Sequence, residues 1–422
     1  MSYLLDDKIK LEPTAQLNAF GRLRTSDTRL LGEYRYMYGS GTTIEMIDKI
    51  VGSGQLIKDQ ARNCYLAQVG TDSGATAIRQ TKQYHPYISG TTNLALITFV
   101  MNAQKTGLSQ SVGIFDDLNG FIFRVRDNIA EFVIRKNGVD VEVVPQSQWN
   151  GDRLDGSRSK LNQSGVLANF TKAQILAIDY QWLGVGKVRF GFVLGDETVI
   201  CHTFYHANIV TEAYTFQPSL PVRWEIKNTA VTTSTSNLMM ICASVHCENS
   251  DYETGFSRSV STDGTAVSIT SANSTNGKGI LAIRLKSVLE GKPCHALARL
   301  KQFTIFSNND INYKIVILSG SAAIQTASWQ DVPGYGWCDY TKDFTLSSTW
   351  NSGEDYQVLV DDFVTGGNGS QSGSVVSSTL DNRSASIYQN YDASDSMILA
   401  IIGYRLTTDA AVRASLSWIE IK

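Results

Sequence analysis

Between residues 187 and 205 the side chains change character at almost every step. Val188, Phe190 and Phe192 are apolar, whereas Lys187, Arg189 and Gly191 are not. A strand shows successive residues to opposite faces, so this spacing predicts one face on a core and a basic face outward. Leu194-Gly195-Asp196-Glu197 then turns the chain and residues 198–205 return as a second strand. Further strands are predicted at 93–101, a nearly continuous apolar run, and at 121–125, 130–135 and 139–144. The last two flank Lys136-Asn137-Gly138, and Asn-Gly accepts the positive φ of a tight hairpin. One short helix is expected at 171–176, where Asn169 offers a cap and Lys172, Ala173 and Gln174 are helix formers.

The same pattern divides the chain. Residues 1–40 mix polar and apolar positions without sustained period, which predicts an extended arm that orders against a neighbour. Residues 41–250 are expected to form a jelly-roll-like β-sandwich. Residues 251–278, rich in Ser, Thr, Asn and Gly, read as a polar linker, and 279–422 as a C-terminal β-sandwich. The expected fold class is therefore all-β: two antiparallel β-sandwich (jelly-roll-like) domains preceded by an extended N-terminal arm.

Composition narrows the function classes. A 42% hydrophobic and 18% charged chain is a folding one, and 422 residues suffice for more than one core. The net charge of −3 gives no basic footprint for nucleic acid. No apolar run approaches the ~20 residues that cross a bilayer as a helix. The first residues lack the order of a secretory signal, so synthesis in a cytoplasm is expected. Cys64, Cys201, Cys242, Cys247, Cys294 and Cys338 show no CxxC spacing and read as reduced, mostly buried thiols.

Four constellations invite chemistry. Gly184-Val185-Gly186 suggests a phosphate loop, but a strand follows it where an anion site needs a helix N-terminus, so a bulge or strand crossing is the better account. His202 and His206 share a strand face opposite Cys201, and His246-Cys247 and Cys294-His295 could each add one ligand. The spacing matches no zinc signature, and neither metal nor cofactor is expected. Asp116, Asp117, Asp152, Asp155 and Asp179 are carboxylates without a recognisable glycosidase pairing. In Gln146-Ser147-Gln148-Trp149-Asn150-Gly151-Asp152 a tryptophan that reads as exposed stands beside amides and acids. Trp149, Asn150 and Asp152 are thus candidate glycan-binding residues, although an inter-subunit loop has the same look.

Several blocks carry a resemblance. They are Asn18-Ala19-Phe20-Gly21-Arg22-Leu23-Arg24-Thr25-Ser26, Ala77-Ile78-Arg79-Gln80-Thr81-Lys82-Gln83-Tyr84, Gln148-Trp149-Asn150-Gly151-Asp152-Arg153-Leu154-Asp155-Gly156, the run from Asp179 to Phe192, and Ser415-Leu416-Ser417-Trp418-Ile419-Glu420-Ile421. With these the chain resembles a family of uncharacterised virion proteins of tailed bacteriophages, often labelled tail-fibre proteins. The resemblance implies a structural component of the virion and supplies no catalytic residues. The expectation is a non-enzymatic protein that docks through its arm, with Phe20, Arg22, Leu23 and Arg24 as docking residues, onto other virion proteins. A homo-oligomer, trimer or ring, would multiply the contacts. No nucleic-acid partner and no membrane insertion are expected. The alternatives are a host-surface glycan-binding protein using Trp149, and a polysaccharide depolymerase.

Overall fold

A computed structural model describes residues 18–19, 28–36, 45–195, 197–248, 255–351, 356–366, 385–389 and 395–421. The fold is all-β, built of antiparallel sheets, and no α-helix occurs among the described residues. The chain forms two compact units. One takes Met1–Ser40, Asp48–Arg79 and His85–Tyr252; the other takes Gly41–Ile47, Gln80–Tyr84 and Glu253–Lys422.

In the first unit the strands are β1 (Arg29–Arg35), β2 (Met46–Val51), β3 (Gln55–Asp59), β4 (Cys64–Val69), β5 (Thr76–Thr81), β6 (Asn93–Val100), β7 (Leu108–Phe115), β8 (Gly120–Arg126), β9 (Ile129–Lys136), β10 (Val139–Pro145), β11 (Gln174–Tyr180), β12 (Val188–Leu194), β13 (Glu197–Phe204), β14 (Val222–Asn228) and β15 (Ser236–Cys247). One sheet runs β13-β12-β11-β6-β15-β4-β3, with β1 also on β15; the other runs β10-β9-β8-β7-β14-β5-β2. β15 is the hub of its sheet: it pairs with β6 along one side and with β4 and then β1 along the other. Inward residues of both sheets meet in an aromatic core. Phe123 lies 5.8 Å from Phe99 and 5.2 Å from Phe192, and Phe132 lies 4.5 Å from Phe190. Alternation thus sets the interior, and the β12–β13 hairpin stands where the pattern put it, with one irregularity at Phe190/Gly191.

Other expectations need correction. Residues 171–176 are not helical. Asn169 does cap locally, its Oδ1 accepting from the Thr171 amide at 3.0 Å, but Ile175, Leu176 and Ile178 are strand formers, and β11 pairs on both sides, with β6 and β12. Tertiary pairing outweighs local capping there. The expected arm is also shortened: β1 lies on β15 and buries Leu31 and Tyr34. A register shift between Leu30 and Gly32 disturbs the two-residue period that would have revealed it.

In the second unit a five-stranded sheet contains Phe256–Ser261, Val267–Ile269, Leu297–Ser307, Ser386–Ile387 and Ala410–Ile421. A seven-stranded sheet is centred on Lys278–Leu285, Ile398–Arg405 and Ile311–Leu318. Leu300, Phe303, Ile283, Ile315, Leu399 and Trp418 share its core. The stretch read as a linker is thus partly strand: Phe256–Ser261 pairs with Ala410–Ile421 over six residue pairs. Val260 is its one buried side chain, and three serines among six residues hide the period. Segments 41–47 and 80–84 are likewise too short to announce by periodicity which unit they join.

Candidate functional site

The segment after β10 holds the residues expected to bind sugar, and its geometry reassigns them. Trp149 is completely buried. Its ring stacks 4.2 Å from Phe132 and its indole N–H donates to the Val144 carbonyl at 3.2 Å. A buried indole settles with its one donor satisfied, so Trp149 offers no face to a ligand, correcting the expectation of exposure. Polar neighbours suggested a surface residue because their own targets are backbone groups. Asn150 accepts from the Thr203 amide and donates to the Thr203 carbonyl, both at 2.9 Å. Asp152 accepts from the amides of Leu154 at 2.9 Å and Ser164 at 2.7 Å. The amides of Gly151 and Asp152 donate to the carbonyls of Cys201 and Ile200. The segment therefore lines the outer edge of β13 and shields it from further pairing.

The histidines and cysteines are similarly engaged. His202 Nδ1 accepts from the Asn150 amide at 3.2 Å, and burial pushes its pKa down to about 4 although Glu142 pulls the other way. His206 donates through Nδ1 to the Gly186 carbonyl at 2.5 Å, reaches Glu142 through Nε2 at 2.8 Å, and stacks on Tyr214 at 3.9 Å. His246 hydrogen-bonds Thr28 and Ser244, while His295 stacks on Tyr84. Among the described residues no three His, Cys, Asp or Glu side chains converge as metal ligands. The six cysteines are all free thiols, five of them buried. Gly184 and Gly186 belong to a tight turn, not a bulge: Leu183 and Gly184 both have positive φ, and a Cβ at Gly186 would meet the Gln181 carbonyl at 2.2 Å. That contact leaves room for glycine alone.

Cross-strand partners neutralise the carboxylates. Arg189, expected on an outward basic face, is buried opposite Asp179 on β11, its Nε 3.0 Å from Oδ2. On the outer face of the second sheet, Arg124 bridges Glu131 at 2.6 Å and Asp140 at 2.7 Å, and Arg135 adds a bond to Asp140 at 2.9 Å. Arg223 holds Asp117 at 2.7 Å. Burial alone would raise Asp140, but Arg124 and Arg135 outweigh it and hold the carboxyl below its ordinary range. Asp117 behaves the same way through Arg223 and Lys49. Such carboxylates stay ionised; a general acid needs a raised pKa.

What sequence spacing missed is one end of the first unit. The turn at 117–119, the Asn137-Gly138 hairpin, the glycine turn at 183–186 and the loop at 205–216 are tied together there. Asn119 Oδ1 accepts from Thr215 Oγ1 at 3.1 Å and from the Phe216 amide at 3.2 Å. The Gly138 amide donates to the Leu118 carbonyl, and the Tyr214 amide to that of Gly184. Lys136 Nζ stands 4.6 Å over the Phe216 ring and pairs with Glu212. Three of these loops expose apolar side chains: Leu118, Leu183, Val185, Tyr205, Ile209 and Phe216, with Ile209 69% exposed. No periodicity signals them, because they come from three separate loops. The expected docking residues Phe20, Arg22, Leu23 and Arg24 lie outside the described residues.

No protein-family model and no curated protein matches the chain. Among solved structures, the chain is similar to a protein of unknown function from Shewanella oneidensis MR-1 at 12% identity, over 56% of this chain and 93% of that one, with a TM-score of 0.35. A legume lectin-like domain from Entamoeba histolytica matches at 13% identity over 53% and 98% of the two chains, TM-score 0.31. A Bacillus licheniformis β-glucanase matches at 9% identity over 53% and 99%, TM-score 0.33.

Proposed function

We propose that the chain is a structural component of a bacteriophage virion, made in the host cytoplasm and acting through protein–protein contacts without catalysis. The observation that carries the assembly reading is the loop end of the first unit, where Leu118, Leu183, Val185, Tyr205, Ile209 and Phe216 expose apolar surface on loops fixed to one another by hydrogen bonds. Apolar side chains exposed on loops that are fixed to one another favour burial against a partner. The virion setting rests on the sequence resemblance. In this reading the loop end meets other copies of the chain in a trimer or ring, and Phe20, Arg22, Leu23 and Arg24 engage a different virion protein.

Two measurements test it. Sedimentation of the full chain is expected to show an oligomer that Ile209→Asp with Phe216→Ser converts to monomer without loss of β-structure. The triple variant Phe20→Ala, Arg22→Ala, Arg24→Ala is expected to leave the oligomer intact and to abolish incorporation into particles. A monomeric wild type, or normal incorporation of the triple variant, refutes the corresponding half. Because β1 begins at Arg29 and Thr28 bonds His246, point variants test the arm more cleanly than a deletion through residue 30.

A further inference from the structure

We infer that the first unit carries a binding site for one neutral sugar ring, separate from the assembly surface proposed above. A cavity of about 260 Å³ opens between the loop that leaves β6, strand β8 and the loop before β11. Met101, Val125 and Phe170 supply its apolar floor, and Gln104, Gln146 and Asn169 its polar rim.

The floor is part of the packed core. Phe170 touches Phe123 at 4.8 Å and Phe192 at 5.6 Å between ring centres, and its carbonyl accepts from the Met101 amide at 2.9 Å. A ligand there meets a surface already in place, so ordering it adds little to the cost of binding.

The rim is defined by which amide atoms the protein itself uses. Gln146 Nε2 donates to the carbonyls of Arg153 at 2.8 Å and Leu154 at 3.3 Å, which turns Oε1 into the available acceptor. Asn169 Oδ1 accepts from the Thr171 amide at 3.0 Å and from Thr171 Oγ1 at 2.7 Å, which leaves Nδ2 as a donor. Gln104 is exposed and brings a whole carboxamide. A hydroxyl both donates and accepts, so a ring carrying several hydroxyls satisfies a rim of one acceptor, one donor and one carboxamide. An apolar floor suits the C–H face of the same ring.

Size and charge restrict the ligand further. The volume lies just below the ~300 Å³ at which pockets for drug-sized ligands begin, so a single six-membered ring is the natural occupant. No ionisable side chain lines the cavity, and a carboxylate or ammonium group entering it would lose water without gaining a counter-charge. Neutral hexoses and N-acetylhexosamines fit; uronic and sialic acids do not. With Gln104 and Asn169 exposed at the mouth, the ring can be the terminal unit of a longer glycan.

The test uses the full chain labelled with ¹³C at the methionine methyls, the Met101 signal being assigned by Met101→Leu. The probes are the methyl glycosides of glucose, galactose, mannose and N-acetylglucosamine, with methyl glucuronide as the charged control. At least one neutral glycoside should shift the Met101 methyl saturably in the millimolar range. Asn169→Asp keeps both acceptor bonds to Thr171 while removing the donor, and should weaken that binding at least tenfold with the other methionine signals unmoved. The inference is overturned if no neutral glycoside moves the Met101 signal, if Asn169→Asp binds as the wild type does, or if methyl glucuronide binds equally well. Because oligomer formation is read separately, this result and that of the Ile209→Asp variant are independent.

Discussion

Acid should loosen the first unit through His85. This imidazole is buried between β1 and the strand bridge at Leu220. Its Nδ1 lies 2.9 Å from the Leu220 carbonyl, which can only accept, so Nδ1 carries the proton. Nε2 is then the acceptor for the Tyr34 hydroxyl at 2.9 Å. A proton added at Nε2 would face that hydroxyl and place a charge on a group almost wholly withdrawn from bulk solvent. Burial accordingly pushes the His85 pKa from 6.5 down to about 4, with the Leu220 carbonyl opposing in part. The folded-state value is below the unfolded one, so between pH 6.5 and 4 the unfolded chain binds more protons and stability falls as pH falls. Full stabilisation holds above about pH 6.5. Integrating the linkage gives a loss of about 2 kcal/mol at pH 5 and roughly 3 kcal/mol once pH is below the folded value. Two compact units make global melting a poor readout. Hydrogen exchange of a peptide spanning β1, corrected for intrinsic rates, reads the local stability directly. His85→Gln keeps a polar group and removes the titration; its stability at pH 7 should be lower, yet its loss between pH 7 and pH 5 should be smaller by about 2 kcal/mol. Equal pH dependence in wild type and variant would refute the assignment.

Two further outcomes follow from the packing. Trp149→Ala should destabilise the first unit by about 3–5 kcal/mol, the usual cost of removing a buried indole; an unchanged urea midpoint would mean that the side chain is not in the core. Arg189→Met removes the guanidinium paired with the buried Asp179 carboxylate and should cost ~3–5 kcal/mol, whereas Arg189→Met with Asp179→Leu should recover most of it. A double variant as unstable as the single one would show that the loss comes from packing, not from the abandoned charge.

The contrast between Arg189 and Asn137 explains how far sequence could be read. Asn137-Gly138 dictates its turn locally, with φ of 49° and 79° at the two residues, and nothing distant is needed to recognise it. The fold class followed from many such local signals, together with the nearly continuous apolar run of β6 and the two-residue alternation of β12. Arg189 obeyed the same alternation, but its partner Asp179 sits on the neighbouring strand, and cross-strand register is not written in spacing. Trp149 failed for a related reason: its polar neighbours bind backbone carbonyls and amides, and only the stacking partner Phe132, far along the chain, makes it interior. The sugar-sized cavity and the apolar loop end were equally out of reach. Their residues come from loops scattered over 40 residues or more, each ordinary where it stands.

The position of β15 and of Ala410–Ile421 also sets a timetable for synthesis. In each unit the last strand among the described residues occupies the interior of a sheet, joining strands laid down long before it. Until residues 236–247 leave the ribosome, β6 and β4 have no strand between them and β1 lacks the strand it pairs with. In the second unit Phe256–Ser261 and Leu297–Ser307 are separated by the final strand, so neither can take its place until residues 410–421 arrive. Pairing across such distances along the chain is slow and leaves edges open in the meantime. Translation stalled within either span would therefore yield not a smaller sandwich but half-sheets with exposed edges, which chaperones and proteases would be the first to find.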